Sequence, residues 1–111
     1  MIMAVKVSEL VEALGLKRVS GTGDREVTGC HIGDLLSMVM SHAQSGDAWI
    51  TIQGNINVTA VASLTDTAMV IIAEGVTPDA NTVKRAEDED ISIFTSEKTA
   101  FALALEIGKR L

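Results

Sequence analysis

Apolar residues recur three and four positions apart in two segments near the start of the chain, which is the spacing of one face of an α-helix. The first segment, residues 7–14, ends at Gly15, whose tolerance of a left-handed turn suits a helix end, with Leu16 packing back afterwards. The second, residues 36–43, follows Asp34, a residue type that caps helix N-termini. We predict a helix in each segment and expect Asp34 to cap the second.

Short runs rich in apolar and β-branched residues predict strands at residues 17–20, 26–30, 48–53, 69–72 and 91–94. In the third run, alternation places Ile50 and Ile52 on one face and Trp49 on the other. The fourth run is apolar throughout, which is typical of a strand buried on both faces of a parallel sheet.

Two further helices are predicted between the later strands. Residues 58–65 have helical spacing, although their β-branched content leaves a strand as the alternative. The sequence Thr77-Pro78-Asp79 combines a capping residue, a first-turn proline and an acidic residue, so a helix should begin there and run to about Asp88.

A last helix is predicted toward Leu111, with Thr95 or Ser96 as its cap. Strand and helix therefore alternate from residue 48 onward at spacings that permit crossover connections. This order predicts an α/β fold: a single domain over residues 1–111, with a mostly parallel sheet of about four to five strands and helices on its faces.

Composition and charge narrow the function classes. Hydrophobic residues make up 47% of the 111 residues but aromatic residues only 3%, so the core must be aliphatic. The net charge is −6, and neither half of the chain is basic. Because phosphate-backbone attraction dominates nucleic-acid affinity, we expect no nucleic-acid partner, and an anionic membrane surface is disfavoured for the same reason.

The cysteine count and the start of the chain indicate a cytoplasmic protein. The single cysteine, Cys30, cannot form an internal disulfide, which fits a reducing compartment. The first residues lack the apolar stretch of a signal peptide, and the longest apolar run, residues 68–73, is too short for a membrane span.

No residue pattern indicates a catalytic centre, a metal site or a cofactor. Cys30 and His31 are neighbours in a predicted strand, so their side chains point to opposite faces and cannot act as thiolate and base. His31 and His42 lack the ligand spacing of a metal site. A phosphate-binding loop, a complete dinucleotide fingerprint and a nucleophile elbow are missing from the sequence. We therefore expect a protein that is not an enzyme.

Polar residues follow three predicted strands where parallel α/β sheets bind ligands, beyond the carboxyl ends of the strands. They are Gln53, Asn55, Glu74, Thr95, Ser96 and Lys98. Their amides, hydroxyls and ammonium group could bind a phosphate or carboxylate. The alternative is that they are turn and capping residues, which such positions also favour.

Residues 24–30, Asp-Arg-Glu-Val-Thr-Gly-Cys, form the most distinctive local pattern in the chain. The pattern resembles the motif after which DRTGG domains are named, with Cys30 in place of the motif's second glycine. The blocks at residues 33–37, 49–53, 57–62 and 77–79 also look like that family, so the resemblance covers nearly the whole chain.

The resemblance implies a regulatory α/β module that acts by binding and is a homodimer. Such domains occur beside the catalytic domains of some phosphate acetyltransferases and between paired CBS domains in some pyrophosphatases, and they resemble the N-terminal part of HPr kinase/phosphorylase. The motif positions here are Asp24, Arg25, Thr28 and Gly29. Arg25, oriented by Asp24, could clamp an anion such as a nucleotide or phosphorylated metabolite; the alternative is a structural turn with Arg25 in an ion pair.

A second function remains open, that of an assembly module without a small ligand. Free-standing members of the family are sometimes associated with hydrogenase gene neighbourhoods, so the resemblance also suggests an accessory role. Apolar residues suited to adaptable contacts with a protein partner are Met1, Ile2, Met3, Met38 and Met40. The alternative is that these residues fill the core.

Overall fold

The computed structural model describes residues 4–111, which form five helices and seven strands. In chain order the elements are β1 (Val5–Lys6), α1 (Val7–Leu14), β2 (Lys17–Ser20), β3 (Glu26–Val27), β4 (Gly29–Ile32), α2 (Leu36–His42), β5 (Asp47–Thr51), α3 (Asn57–Thr65), β6 (Met69–Ile72), α4 (Ala80–Asp88), β7 (Ile93–Thr95) and α5 (Ala100–Gly108).

Five strands form one sheet in the order β2-β7-β6-β5-β4. Strands β4 to β7 are parallel, whereas β2 pairs antiparallel with β7. β1 and β3 form a separate two-stranded pair. The predicted α/β class and mostly parallel sheet are confirmed. Within residues 4–111 no helix is long and apolar enough to cross a membrane.

The two faces of the sheet are covered by different helices. α2, α3 and α4 connect successive parallel strands and lie on one face, the α2–α4 face, where Trp49 and Val70 pack. α1 and α5 cover the other face, the α1–α5 face, where Ile50 and Phe94 pack. β6 is buried on both faces, as its continuous apolar sequence predicts.

The helix over residues 57–65 is confirmed and the strand alternative is wrong. The role predicted for Asp34 is also wrong, because α2 begins without a side-chain cap. Asp34 Oδ1 instead accepts hydrogen bonds from Thr51 Oγ1 at 2.9 Å and from the Ile52 amide at 2.8 Å. An aspartate near a helix start serves equally well as an acceptor for a neighbouring loop.

Two other helix starts differ from prediction. α4 begins at Ala80 rather than at Thr77. α5 is capped by Thr99, whose Oγ1 accepts a hydrogen bond from the Ala102 amide at 3.1 Å, and not by Thr95 or Ser96. The reason is that β7 continues to Thr95, which pairs with both β2 and β6, so a turn must follow before the helix begins.

The strand predicted over residues 26–30 is interrupted. Its first two residues form β3, which pairs with β1, and its last two belong to β4 beside β5. Between them, the Thr28 amide donates to the Gly46 carbonyl at 3.0 Å. The break at Thr28 therefore divides the predicted strand between two sheets.

Candidate functional site

The parallel strands give the sheet two edges of different character. At the amino edge β4 to β7 begin, and at the carboxyl edge they end. The motif residues lie at the amino edge, because Gly29 starts β4 beside Asp47, the first residue of β5. The polar residues predicted at strand ends lie at the carboxyl edge. β5 has five residues, so the two edges are about 15 Å apart, and the predicted site residues do not form one site.

Arg25 of the motif contacts the loop before β6. Its Nη1 and Nη2 atoms donate to Asp66 Oδ1 and Oδ2 at 3.0 and 3.2 Å, and Nη1 also donates to the Thr67 carbonyl at 3.1 Å. Hydrogen bonds from Ser45 and Arg25 hold the pKa of the Asp66 carboxyl below its ordinary value. The arginine fork is therefore engaged in a bidentate ion pair within the protein.

Asp24 contacts helix α1 rather than Arg25. Its Oδ1 accepts a hydrogen bond from the Ser8 amide at 2.8 Å and its Oδ2 accepts one from Ser8 Oγ at 3.0 Å. Ser8 lies in the first turn of α1, where backbone amides lack partners within the helix. The Ser8 amide is the largest cause that lowers the pKa of Asp24. Asp24 thus caps a helix sixteen residues away in sequence.

The last motif residues make backbone and side-chain contacts at the start of β5. A side chain at Gly29 would collide with Asp47 Oδ1. Asp47 is buried, and its Oδ2 accepts a hydrogen bond from the Gln44 amide at 2.8 Å. Thr28 packs against Gly46. This geometry explains a glycine at position 29 without any ligand.

Cys30 packs against the core of the α1–α5 face. Burial, with a smaller contribution from the charge of Asp47, raises the pKa of the Cys30 thiol to about 11. The thiol is therefore protonated near neutral pH and a poor nucleophile. Because it points into the core, it does not crowd the surface of the amino edge.

A cavity of about 300 Å³ lies beside Arg25 at the amino edge. Its charged lining is mainly acidic, with Asp66, Glu89 and Asp90 around the single arginine. Thr67 Oγ1, also in the lining, is buried without a hydrogen-bond partner among the described residues. An anion is disfavoured there, because three carboxylates surround a cation that is already paired.

At the carboxyl edge, Gln53 and Asn55 bond mainly to each other and to nearby backbone. Gln53 Nε2 donates to the Asp34 carbonyl at 3.0 Å, and its Oε1 accepts from Asn55 Nδ2 at 3.0 Å. Asn55 Oδ1 accepts from the Asn57 amide at 2.9 Å, at the start of α3. Both side chains shape the β5–α3 loop.

Glu74 and Lys98 lie on neighbouring loops, where the Glu74 amide donates to the Lys98 carbonyl at 2.9 Å. Lys98 Nζ donates to the Leu14 carbonyl at 3.1 Å, at the end of α1. Glu74 has a positive φ of 60° and an exposed side chain. Lys98 therefore satisfies a backbone carbonyl at the C-terminal end of α1.

A second cavity lies at the carboxyl edge, where two neighbouring loops diverge. α4 leaves β6 toward one face of the sheet, and α5 leaves β7 toward the opposite face. Such a reversal opens a crevice beyond the carboxyl ends of the strands. The crevice has a volume of about 600 Å³, and we call it the switch crevice.

Three kinds of side chain line the switch crevice. Its apolar wall is formed by Val19, Val76, Pro78 and Val83. Its hydroxyl groups are those of Thr77, Thr95 and Ser96. Its charged residues are Lys17, Arg18 and Glu97. A mostly apolar concave surface with a few convergent polar groups is the usual form of a small-molecule site.

Lys17 is the cation available to a ligand in the switch crevice. It pairs with Thr95 in the sheet, and its ammonium group makes no ion pair or hydrogen bond with the described residues. The guanidinium of Arg18 turns toward the other edge: it lies 4.6 Å from the centre of the Phe94 ring and donates to Ser92 Oγ and to the Gly23 carbonyl.

The switch crevice contains only two of the predicted site residues, Thr95 and Ser96. Gln53 and Asn55 follow β5, which is two strands away from β7, or about 10 Å. Sequence reasoning missed Lys17, Val19 and Val83, because the pairing of β2 with β7 was not foreseen. The only signal in the sequence is that the strand predicted at residues 17–20 begins with two charged residues, Lys17 and Arg18. Whether any of these residues contacts a ligand stays a prediction.

No protein-family model matches the sequence, and no curated protein matches it either. Among solved structures, the fold is similar to that of the CBS and DRTGG domains of the regulatory region of Clostridium perfringens pyrophosphatase, crystallised with its activator diadenosine tetraphosphate. The match has a TM-score of 0.71 at 14% sequence identity and covers 95% of this chain, but only 46% of the other. At this identity the likeness concerns the fold, and it supports the DRTGG-like domain that residues 24–30 predict.

Proposed function

We propose that this protein is a non-catalytic regulatory module that binds a nucleotide or another phosphate-bearing small molecule in the switch crevice, and that it acts as a homodimer. The observation that carries the proposal is the combination, in one crevice of about 600 Å³, of an apolar wall and the Lys17 ammonium group, which has no hydrogen-bond or ion-pair partner among residues 4–111. A base or other flat apolar group suits the wall formed by Val19, Val76 and Val83, and a phosphate suits Lys17.

The hydroxyls of the crevice add directional contacts to a bound phosphate. Thr77 and Thr95 approach from the β6–α4 loop and from the end of β7. Glu97 limits the negative charge that the crevice tolerates, since its carboxylate lies beside Gly75 at the same opening. We therefore expect the phosphate to lie on the Lys17 side, away from Glu97.

The regulatory role is supported by the similar solved structure, which is a regulatory region in complex with a nucleotide activator. The non-catalytic role is supported by the position of the groups that most often act as nucleophile or base. Cys30 and His31 lie on β4, and His42 lies on α2. None of these three lines the switch crevice.

Thermal-shift and calorimetric titrations test the proposal, with diadenosine tetraphosphate, ATP, adenosine and pyrophosphate as probes. Trp49 is fully buried on the α2–α4 face, so its fluorescence reports unfolding well. A ligand that binds the native state raises the melting temperature with concentration. We expect stabilisation by the nucleotides and less by adenosine, which lacks the phosphate. A flat response to all four probes contradicts the proposal.

Variants locate the binding site. We expect Lys17→Ala to weaken nucleotide binding about tenfold or more, because a hydrogen bond to a charged group contributes roughly 1.5–3 kcal/mol. Lys84→Ala is the matched control, since Lys84 is exposed on α4 and does not line the crevice. Arg25→Ala should leave affinity unchanged. Loss of binding in Arg25→Ala, with Lys17→Ala unaffected, would place the ligand at the motif instead.

An assembly module without a small ligand is the second candidate. It is favoured by exposed apolar side chains, of which Phe101 and Leu64 are 74% exposed and Leu35 is 66% exposed. Met38 and Met40 are also exposed, as this hypothesis requires, whereas Met1, Ile2 and Met3 lie outside the described residues. A flat ligand response from a protein that forms stable oligomers would favour this candidate.

A further inference from the structure

The two outer strands of the five-stranded sheet are protected very differently. At one end, β2 carries Lys17 and Arg18, and its pairing with β7 is irregular between Arg18 and Ser20. Charged residues and bulges are the devices by which natural proteins keep edge strands from pairing with other chains. At the other end, β4 has the sequence Gly-Cys-His-Ile, with no Lys, Arg, Asp, Glu or Pro, and its pairing with β5 is regular.

Within residues 4–111, β4 pairs with β5 only, so one side of its backbone has no strand partner in that part of the chain. The helices beside it are the outermost of their layers. α2 has α3 as its neighbouring helix, and α5 has α1. Exposed apolar side chains border the strand: Ile32 is 49% exposed, Leu35 66% and Phe101 74%. We call this region the β4 edge.

The charge distribution indicates what the β4 edge binds. Residues 27–46 carry one charged residue, Asp34, and residues 100–105 carry none, whereas the whole chain has a net charge of −6. In a two-fold dimer the same surface patch lies on both subunits, so a patch with charges of one sign would face charges of the same sign. A neutral, apolar surface of an acidic chain can associate with its own copy without this repulsion.

We propose that two copies of this chain associate about a two-fold axis by pairing their β4 strands antiparallel, which joins the two sheets into one of ten strands. Leu35 and Met38 on one side of the sheet, and Phe101 and Leu105 on the other, pack across the axis and extend a contact that four strand residues alone would leave small. This inference rests on the homodimer part of the proposed function and is independent of the ligand.

Analytical ultracentrifugation of the whole chain tests the interface, with two variants and one matched control. Ile32→Lys places a charge on the edge strand, and Phe101→Glu places one on the bordering helix. Leu64→Glu is the control, because Leu64 on α3 has the same 74% exposure as Phe101 but lies outside the β4 edge. We expect the wild type and Leu64→Glu to be dimers at micromolar concentration, and both β4-edge variants to dissociate at least tenfold more readily.

Amide hydrogen exchange separates strand pairing from a contact through the helices alone. We expect the β4 amides to exchange more slowly in the wild-type dimer than in monomeric Phe101→Glu, while circular dichroism confirms that both are folded. Equal exchange in the two proteins overturns the pairing of β4. A monomeric wild type, or a dimer broken by Leu64→Glu and not by the β4-edge variants, overturns the interface.

The outcome is distinguishable from that of the ligand experiments. The switch crevice is lined by residues of β2, β7, α4 and their loops, none of which belongs to the β4 edge. Monomeric variants should therefore bind the nucleotide probes with wild-type affinity if the site is complete in one chain. A stable dimer that binds none of the probes would keep the interface and remove the proposed ligand function.

Discussion

The amino and carboxyl edges of the sheet contain similar polar residue types and use them differently. At the amino edge, Asp24 binds Ser8, Arg25 binds Asp66, and Gly29 makes room for Asp47. At the carboxyl edge the loops after β6 and β7 diverge and leave a crevice in which Lys17 has no partner among the described residues. The motif at residues 24–30 is the segment most easily recognised in the sequence, and its side chains bind other residues of the protein.

This contrast shows why a motif is an uncertain guide to a binding site. Asp24 and Arg25 are exposed polar residues of the kind that bind ligands, yet both make hydrogen bonds within the protein. Asp24 and Arg25 each connect elements far apart in sequence, so their loss should affect stability first. Lys17, which lines the switch crevice and has no partner among the described residues, should affect ligand affinity and leave stability almost unchanged.

The largest expected effect is a loss of stability on replacing Gly21, which lies near the amino edge. Gly15, near the carboxyl edge, is the glycine with which it is compared. Gly21 has a φ of +78°, and a Cβ there would lie 2.7 Å from the Ile91 carbonyl oxygen, so Gly21→Ala should destabilise the protein by about 3 kcal/mol, through left-handed strain and overpacking together. Gly15 has a φ of +66° and open space around it, so Gly15→Ala should cost about 1 kcal/mol. Urea unfolding of both variants measures the difference. Equal costs would mean that the crowding at Gly21 relaxes freely.

A second comparison separates stability from binding within one carboxyl-edge loop. Thr99→Ala removes the hydrogen bond to the Ala102 amide that caps α5 and should cost about 1 kcal/mol in unfolding free energy without changing ligand affinity. Ser96 Oγ accepts a hydrogen bond from the Lys98 amide in a turn, and it lines the switch crevice. Ser96→Ala should therefore cost less stability and weaken nucleotide binding. A larger loss of stability in Ser96→Ala than in Thr99→Ala, together with unchanged nucleotide affinity, would contradict these roles.

The ion pair at the motif gives a third, smaller effect on stability. Arg25 and Asp66 are both well exposed, so solvent screens their attraction, and Arg25→Ala should cost at most about 1 kcal/mol. Arg25→Lys should recover only part of this loss, because an ammonium group cannot form the two parallel hydrogen bonds of the guanidinium. Chemical denaturation at low and high salt measures both variants. A cost independent of salt would point to the Thr67 carbonyl contact rather than to the charge pair.

The smallest effect is a pH dependence at Asp24. Its pKa is lower in the folded protein than the ordinary value of 3.8, mainly because of the Ser8 amide, so the ionised carboxylate stabilises the fold. That contribution is complete above the pKa of the unfolded state and is lost as the pH falls through the folded value. The melting temperatures of wild type and Asp24→Asn should therefore differ at pH 6 and converge as the pH falls through the folded-state pKa of Asp24, which lies below 3.8. A difference that does not change with pH would exclude the charge as its cause.

Much of the fold follows from local patterns. The helical spacing of residues 7–14, the unbroken apolar run of β6 and the turn at Gly15 each describe how a segment buries its own side chains, and each prediction is confirmed. Helix caps were predicted less well. Asp34, Thr95 and Ser96 are residue types that cap helices and also stabilise turns, and only the neighbouring strands determine which role is needed.

By itself, the sequence determined the α/β class, the mostly parallel sheet and the resemblance to DRTGG domains, because periodicity and turn residues are local properties. The tertiary structure alone decided which polar groups meet. Arg25 reaches Asp66 across 41 residues of sequence, and the antiparallel pairing of the outer strand β2 with β7 brings Lys17 to the carboxyl edge. The order of strands in a sheet depends on packing between distant segments, and no local pattern records it. The order of the strands explains both why the motif side chains bind other residues of the protein and why the switch crevice is open.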